Sequence, residues 1–179
     1  MFSSIRFVMK EHLHNGAFIM KMAYMDSRKQ TVRSGLGIWW TYFRDLLFIG
    51  VFIVFRMLIA GNVKMCGMDS VVYLVTGMIP WFFMNDVLNQ GGMTIRNNRG
   101  IIQSIHFPVV TLPSIAVFSI LIKRCLSFLL IFVVCICFGY MEYFHLGLFL
   151  YYMLAMICLM LALNLVTTAI IAISDDFSI

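Results

Sequence analysis

Long apolar runs alternate with short polar segments along this chain. Four runs approach or exceed the roughly 20 residues that a helix needs to cross a bilayer. They place predicted spans at about residues 42–60, 71–95, 125–143 and 146–173. The pattern predicts an all-α integral membrane protein with four transmembrane helices, forming a single membrane domain over residues 1–179.

The composition supports lipid as the solvent for most of the chain. Of the 179 residues, 62% are apolar and only 12% are charged. An average soluble domain carries about 25% charged residues, because its surface needs polar cover. The apolar fraction therefore excludes an ordinary soluble domain.

The basic residues follow the positive-inside pattern of membrane proteins. Seven of the 13 lie at or before the start of the first predicted span, and four more lie in or beside the loop between the second and third spans: Arg6, Lys10, Lys21, Arg28, Lys29, Arg33 and Arg44, then Arg96, Arg99, Lys123 and Arg124. This asymmetry predicts a cytoplasmic N-terminus and a cytoplasmic loop at 96–124. It explains the net charge of +5 without nucleic acid as a partner. Four spans would return the C-terminus to the cytoplasm.

Residues 1–41 are predicted to form a cytoplasmic or interfacial amphipathic segment. Phe18, Met22 and Met25 recur at helical spacing on one side of a short basic helix. Such helices commonly lie in the membrane interface. Two interpretations are open: an anchor on anionic lipid, or a collar that braces a cytoplasmic partner.

The second predicted span becomes polar towards its inner end. Pro80 favours a kink, and the aromatic residues after it are followed by Asp86. A charge near the centre of a membrane helix costs about 2.5–3.5 kcal/mol on insertion scales. Asp86 is therefore expected to face a partner helix, a water-filled path or the interface.

The sequence contains no motif for catalysis or for nucleotide binding. It has no G-x-x-x-x-G-K-[ST], no G-x-S-x-G and no H-E-x-x-H. Its five cysteines show no metal spacing. We therefore expect no enzymatic activity and no bound cofactor or metal in this chain, and any energy for work has to come from another protein.

Three short motifs in register resemble a known family. They are Ser34-x-Leu36-Gly37-x-x-Trp40 before the first span, Gly77-x-x-Pro80-Trp81-Phe82-Phe83 in the second, and a loop pattern made of Asn98, Ile101-Ile102, His106-Phe107-Pro108 and Leu112-Pro113. Together they are similar to motifs of the permease subunits of polysaccharide-export ABC transporters. The similarity covers most of residues 18–176.

This resemblance implies a multi-pass permease in the bacterial inner membrane. Such a subunit forms a homodimer, binds a cytoplasmic ATPase subunit that uses ATP, and moves a lipid-linked polysaccharide of the capsule, O-antigen or teichoic acid type. The implied ATPase-coupling residues are Arg96, Asn98, Arg99, Ile101, Ile102, His106, Phe107 and Pro108. The implied interface entry is Ser34, Leu36, Gly37 and Trp40. The candidate substrate path is Trp81, Phe82, Phe83 and Asp86, although kink packing and interfacial anchoring are equally open roles for the aromatic residues.

The chain also departs from the family pattern. Arg44-Asp45 stands where members usually carry Pro, and Ser174-Asp175 stands in place of their Arg-Asp. Members continue through two further spans, so the resemblance implies that the last two are absent here. Two alternatives follow: a permease for a drug or small lipid, and a truncated membrane fragment that does not transport.

Overall fold

The computed structural model describes residues 16–33, 38–61, 64, 67–94 and 111–176. Within them every regular element is helical, which confirms the predicted all-α class for this part of the chain. The five α-helices are α1 (Gly16–Arg33), α2 (Ile38–Ala60), α3 (Ser70–Asp86), α4 (Leu112–Cys137) and α5 (Leu146–Asp176). Helix α3 runs directly into a π-helical turn at Val87–Gly91. A short 3₁₀-helix, Met141–Tyr143, lies between α4 and α5.

Three helical stretches are long and apolar enough to cross a membrane. They are Ser70–Gly91, Leu112–Cys137 and Leu146–Ile171, which correspond to the second, third and fourth predicted spans. Helix α2, the first predicted span, is not among them. It carries three charged residues in its 23 positions, Arg44, Asp45 and Arg56. The described residues thus support a helical membrane protein with three candidate spans, where the sequence predicts four.

Helix α4 does not match the predicted span at 125–143. It begins at Leu112 and ends at Cys137. The sequence places a boundary at Lys123-Arg124 because two adjacent charges interrupt the apolar run. The helix nevertheless continues through them, because Arg124 is buried against carboxylates from other helices.

Local chemistry explains both ends of α4. Pro113 lies in the first turn, where a missing backbone N–H breaks no helical hydrogen bond. At the other end Gly139 has a φ of 73°, a conformation that glycine adopts without a side-chain clash. Its N–H donates to the carbonyl of Ile136, and the N–H of Tyr140 donates to that of Cys135. This pair of hydrogen bonds is the Schellman motif, which satisfies the last carbonyls of the helix.

Helix α4 is the centre of the bundle, since α1, α3 and α5 all pack against it. A line of buried residues at helical spacing on α3 and the start of the π-helical turn shares one core cluster with α4: Val72, Val75, Ile79, Phe83 and Val87. We call the end of the bundle where α3 ends and α4 begins the loop end, because residues 95–110 join the two helices there. The opposite end is called the far end.

Helix α1 is two-faced. Ile19 and Ala23 are buried against Ile115 of α4, whereas Phe18 and Met25 are exposed. Met22 also packs partly against this cluster, so the apolar side seen in the sequence coincides only in part with the side that contacts the bundle.

Candidate functional site

Charged residues from three helices meet inside the bundle. Arg124 of α4 donates from Nε to Oδ2 of Asp86 in α3 at 3.0 Å, and its Nη2 also bonds that oxygen. Its Nη1 donates to Oδ2 of Asp45 in α2. Only 1% of Arg124 is exposed, and both carboxylates are buried. We call these three residues, together with Arg44, the ion cluster.

Arg44 approaches the same two carboxylates from the other side. Its Nη2 lies 3.7 Å from Oδ1 of Asp45 and 3.7 Å from Oδ1 of Asp86. Unlike Arg124, it keeps 54% of its side chain exposed. Each carboxylate therefore has one oxygen on the buried arginine and the other near the exposed one, and the four formal charges cancel.

This pairing explains how three apolar helices can carry ions. An unpaired charge inside a membrane is costly, whereas a guanidinium that forms several hydrogen bonds to carboxylates is largely compensated. The ring of Phe82 also lies 5.8 Å from the guanidinium carbon of Arg124, a distance suited to a cation–π contact. The ion cluster thereby fixes the relative register of α2, α3 and α4.

The ion cluster lies nearer to the loop end of α2 and α4 than to the far end. Residues 46–60 of α2 and 125–137 of α4 extend from it towards the far end. At 1.5 Å per residue these stretches are about 20–22 Å long, less than the roughly 30 Å of a hydrocarbon core. On the other side, the exposed side chains of Trp39 and Trp40 precede Asp45 by about 8 Å. They suit the headgroup belt.

Polar contacts continue from the ion cluster towards the loop end. Lys123 donates from Nζ to Oε1 of Gln90 at 3.3 Å. The hydroxyl of Tyr42 donates to the backbone carbonyl of Lys123. Lys123 of α4 thus adds polar contacts to α2 and to the π-helical turn.

A second polar contact joins α5 to the loop end. Asn164 is fully buried, and its Nδ2 donates to the carbonyl of Pro113 at 2.8 Å. Thr168 Oγ1 donates to the carbonyl of Gly91 at 3.4 Å. A Cβ on Gly91 would lie 2.5 Å from Asn164 Oδ1, so a larger residue here would have to displace the amide of Asn164. We call these four residues the α5 contact.

The candidate path residues occupy three different environments. Trp81 is 62% exposed, whereas Phe83 is fully buried and packs edge-on against Phe128 with ring centroids 6.0 Å apart. Phe82 covers Arg124. Asp86 faces a partner helix, which is one of the three positions expected from the sequence. The structure therefore brings Phe82 and Asp86 together at the ion cluster. It places Trp81 on the outside of the bundle and Phe83 in its core.

Most residues implied by the loop motif lie outside the described residues. This applies to Arg96, Asn98, Arg99, Ile101, Ile102, His106, Phe107 and Pro108, and to the entry residues Ser34, Leu36 and Gly37. Trp40, the remaining entry residue, is described and exposed. Among the residues that the structure describes, no group of three or more His, Cys, Asp or Glu side chains is arranged to hold a metal ion.

Sequence reasoning missed Asp45 and Arg124 as partners. Asp45 was noted as a departure from the family pattern, and Arg124 was placed in or beside a loop. The sequence does contain a signal for this pairing. Charged residues of opposite sign lie near one end of three neighbouring apolar runs: Asp45 in the first, Asp86 in the second and Arg124 in the third.

No protein-family model, curated protein or solved structure matches this chain. The family resemblance therefore rests on the three sequence motifs alone.

Proposed function

We propose that this chain is the membrane-spanning subunit of an ATP-driven exporter, and that residues 95–110 couple it to a separate ATPase. The observation that carries the proposal is the packing of the two flanks of this segment. Both flanks are buried in the bundle, so a force on the segment acts directly on the helices.

The flank before the segment packs against α5. Val87, Gly91, Gly92 and Thr94 are buried. A Cβ on Gly92 would lie 2.9 Å from Cδ1 of Ile171, so the backbone here directly abuts the neighbouring helix.

The flank after the segment is the most completely enclosed stretch among the residues that the structure describes. Residues 111–117 are buried at every position. Helix α1 covers them on one side through Ile19 and Ala23, and the amide of Asn164 binds the carbonyl of Pro113 on another. Close-packed interiors transmit displacement instead of absorbing it.

The ion cluster extends this connection to α2. Because Arg124 bonds Asp86 and Asp45 together, a displacement of α3 or α4 also acts on α2. A push from an ATPase on residues 95–110 would therefore move three helices as a unit, a form of rigid-body transition common in coupled proteins.

The cargo that we propose is a lipid-linked polysaccharide, on the strength of the family resemblance. The exposed ring of Trp81 offers a flat apolar face of the kind that suits a sugar ring. In this proposal the chain acts as a homodimer in a bacterial inner membrane, with its N-terminus in the cytoplasm. It contributes no catalytic residue, and its partner subunit hydrolyses ATP.

Changing the coupling segment is expected to release the ATPase. Arg99→Glu combined with Ile101→Ser and Ile102→Ser reverses a charge and removes an apolar edge. Loss of such contacts is expected to reduce ATPase co-purification at least about tenfold, equivalent to about 1.4 kcal/mol. Lys64→Glu is the matched control, because Lys64 is exposed in the connection between α2 and α3 at the far end. Undiminished ATPase recovery with the triple variant would contradict the coupling role.

A further inference from the structure

The π-helical turn at Val87–Gly91 separates the ion cluster from the coupling segment. A π-helical turn closes its hydrogen bonds between residues five apart, so it holds one residue more than an α-helical turn. Such turns are rare and mostly occur singly, frequently at functional sites. This one begins immediately after Asp86.

The two ends of the turn are attached to different helices. Asp86, just before it, is held by Arg124 of α4 at 3.0 Å. Gly91, its last residue, is held against Asn164 and Thr168 of α5. The five residues of the turn therefore accommodate the difference in register between these two attachments.

The attachment to α5 is the weaker of the two. Its hydrogen bond from Thr168 to Gly91 is 3.4 Å long, whereas Arg124 forms charge-assisted bonds. Within the described residues, Oδ1 of Asn164 is buried and accepts no hydrogen bond. A buried acceptor without a donor is unfavourable, so the α5 contact yields before the ion cluster does.

The carbonyl groups around the turn have local partners. Asn89 donates from Nδ2 to the carbonyl of Asn85 at 2.8 Å, and Thr94 donates from Oγ1 to that of Gln90 at 3.4 Å. These side chains belong to the same segment and move with it. These two carbonyls therefore keep their hydrogen-bond donors when the register of the turn shifts.

We propose that the π-helical turn is a register switch between the ion cluster and residues 95–110. In the second position of the switch, the turn becomes α-helical and its extra residue joins the regular helix. Relative to Asp86, the chain beyond Gly92 then rotates by about 100° and moves by about 1.5 Å, which is the change that one residue makes in an α-helix. The ion cluster stays intact, and Gly91 separates from Asn164 and Thr168. The switch goes beyond the exporter proposal, which supplies only a source of force to drive it.

Distances between spin labels test the switch in the full chain. Labels at Met93 and Val166, both exposed, are introduced after replacement of the native cysteines, and the protein is placed in lipid nanodiscs. Gly91→Ala is expected to add a second population of label-to-label distances. The alanine Cβ would lie 2.5 Å from Oδ1, 2.8 Å from Nδ2 and 2.9 Å from Cγ of Asn164. The matched control is Gly77→Ala on the same helix, where nothing lies within 4 Å. It is expected to keep the wild-type distance.

Removing the obstructing side chain is expected to reverse the effect. All three atoms that crowd the new Cβ belong to Asn164, so Gly91→Ala with Asn164→Ala is expected to restore the wild-type distance. A single wild-type distance in Gly91→Ala, or a second distance that persists in the double variant, would overturn the proposal.

A pair of deletions tests whether the turn holds an extra residue, even if Gly91→Ala fails to fold. Deletion of Leu88 is expected to leave a folded protein with a continuous α-helix and both attachments in place. Deletion of Gly77, in the α-helical part of α3, is expected to rotate Asp86 away from Arg124 and abolish folding. Equal loss of folded protein in both would overturn the switch. None of these readouts needs an ATPase, so failure of the switch and failure of ATPase co-purification are separate results.

Discussion

Replacing Arg124 with alanine is expected to destabilise the protein by about 3 kcal/mol, measured by unfolding in mixed micelles with increasing SDS. The substitution leaves Asp45 and Asp86 buried without their main partner. Breaking a buried ion pair by removing one member costs about 3–5 kcal/mol. The lower value is expected because Arg44 lies 3.7 Å from both carboxylates and compensates in part.

Arg44 provides the matched control for this experiment. It faces the same carboxylates but is 54% exposed, so Arg44→Ala is expected to cost about 1 kcal/mol or less, as surface ion pairs do. A combined Asp45→Asn, Asp86→Asn and Arg124→Gln variant removes the charges together and is expected to be milder than Arg124→Ala. Equal effects of Arg44→Ala and Arg124→Ala would contradict the assignment of the buried arginine as the centre of the cluster.

Phe83→Ala is expected to destabilise the protein by about 2 kcal/mol in the same unfolding measurement. Phe83 is fully buried between α3 and α4. In soluble proteins the loss of a buried Phe costs about 3–5 kcal/mol, part of which is transfer to water. In a bilayer the separated helix meets lipid tails instead of water, so the lost packing dominates and the cost is smaller.

Trp81→Ala separates packing from a role in the substrate path. Trp81 is 62% exposed, so its removal is expected to change stability by about 0.5 kcal/mol or less. If its ring contacts the cargo as we propose, export falls although the protein remains folded. Loss of stability comparable to that of Phe83→Ala would show instead that Trp81 is a packing residue.

The helical class and three candidate spans were predictable because long apolar runs are the signature of helices that can cross a membrane. The start of α4 was not, because the cost of Arg124 depends on residues far away in sequence. Its partners lie 38 positions away at Asp86 and 79 positions away at Asp45. A linear pattern shows where a charge is, but only the assembled helices show whether it is compensated.

The candidate site was also predictable only in part. The expectation that Asp86 avoids lipid follows from its charge alone, and it is confirmed by its contact with Arg124. The π-helical turn has no comparable signal, because it results from two attachments on different helices. The buried side of α1 was predicted only in part, since Met22 packs against it but Ile19 and Ala23 are less conspicuous in the sequence than the larger Phe18 and Met25.

In the proposed function, force on residues 95–110 moves a lipid-linked polysaccharide through this subunit. The most direct measurement is translocation of such a polymer in proteoliposomes that contain this chain and its ATPase. We predict ATP-dependent translocation that is lost in the Arg99→Glu, Ile101→Ser, Ile102→Ser variant and retained in Lys64→Glu. The proposed export function would be contradicted if an ATPase binds the wild-type chain and hydrolyses ATP while no polymer crosses the membrane.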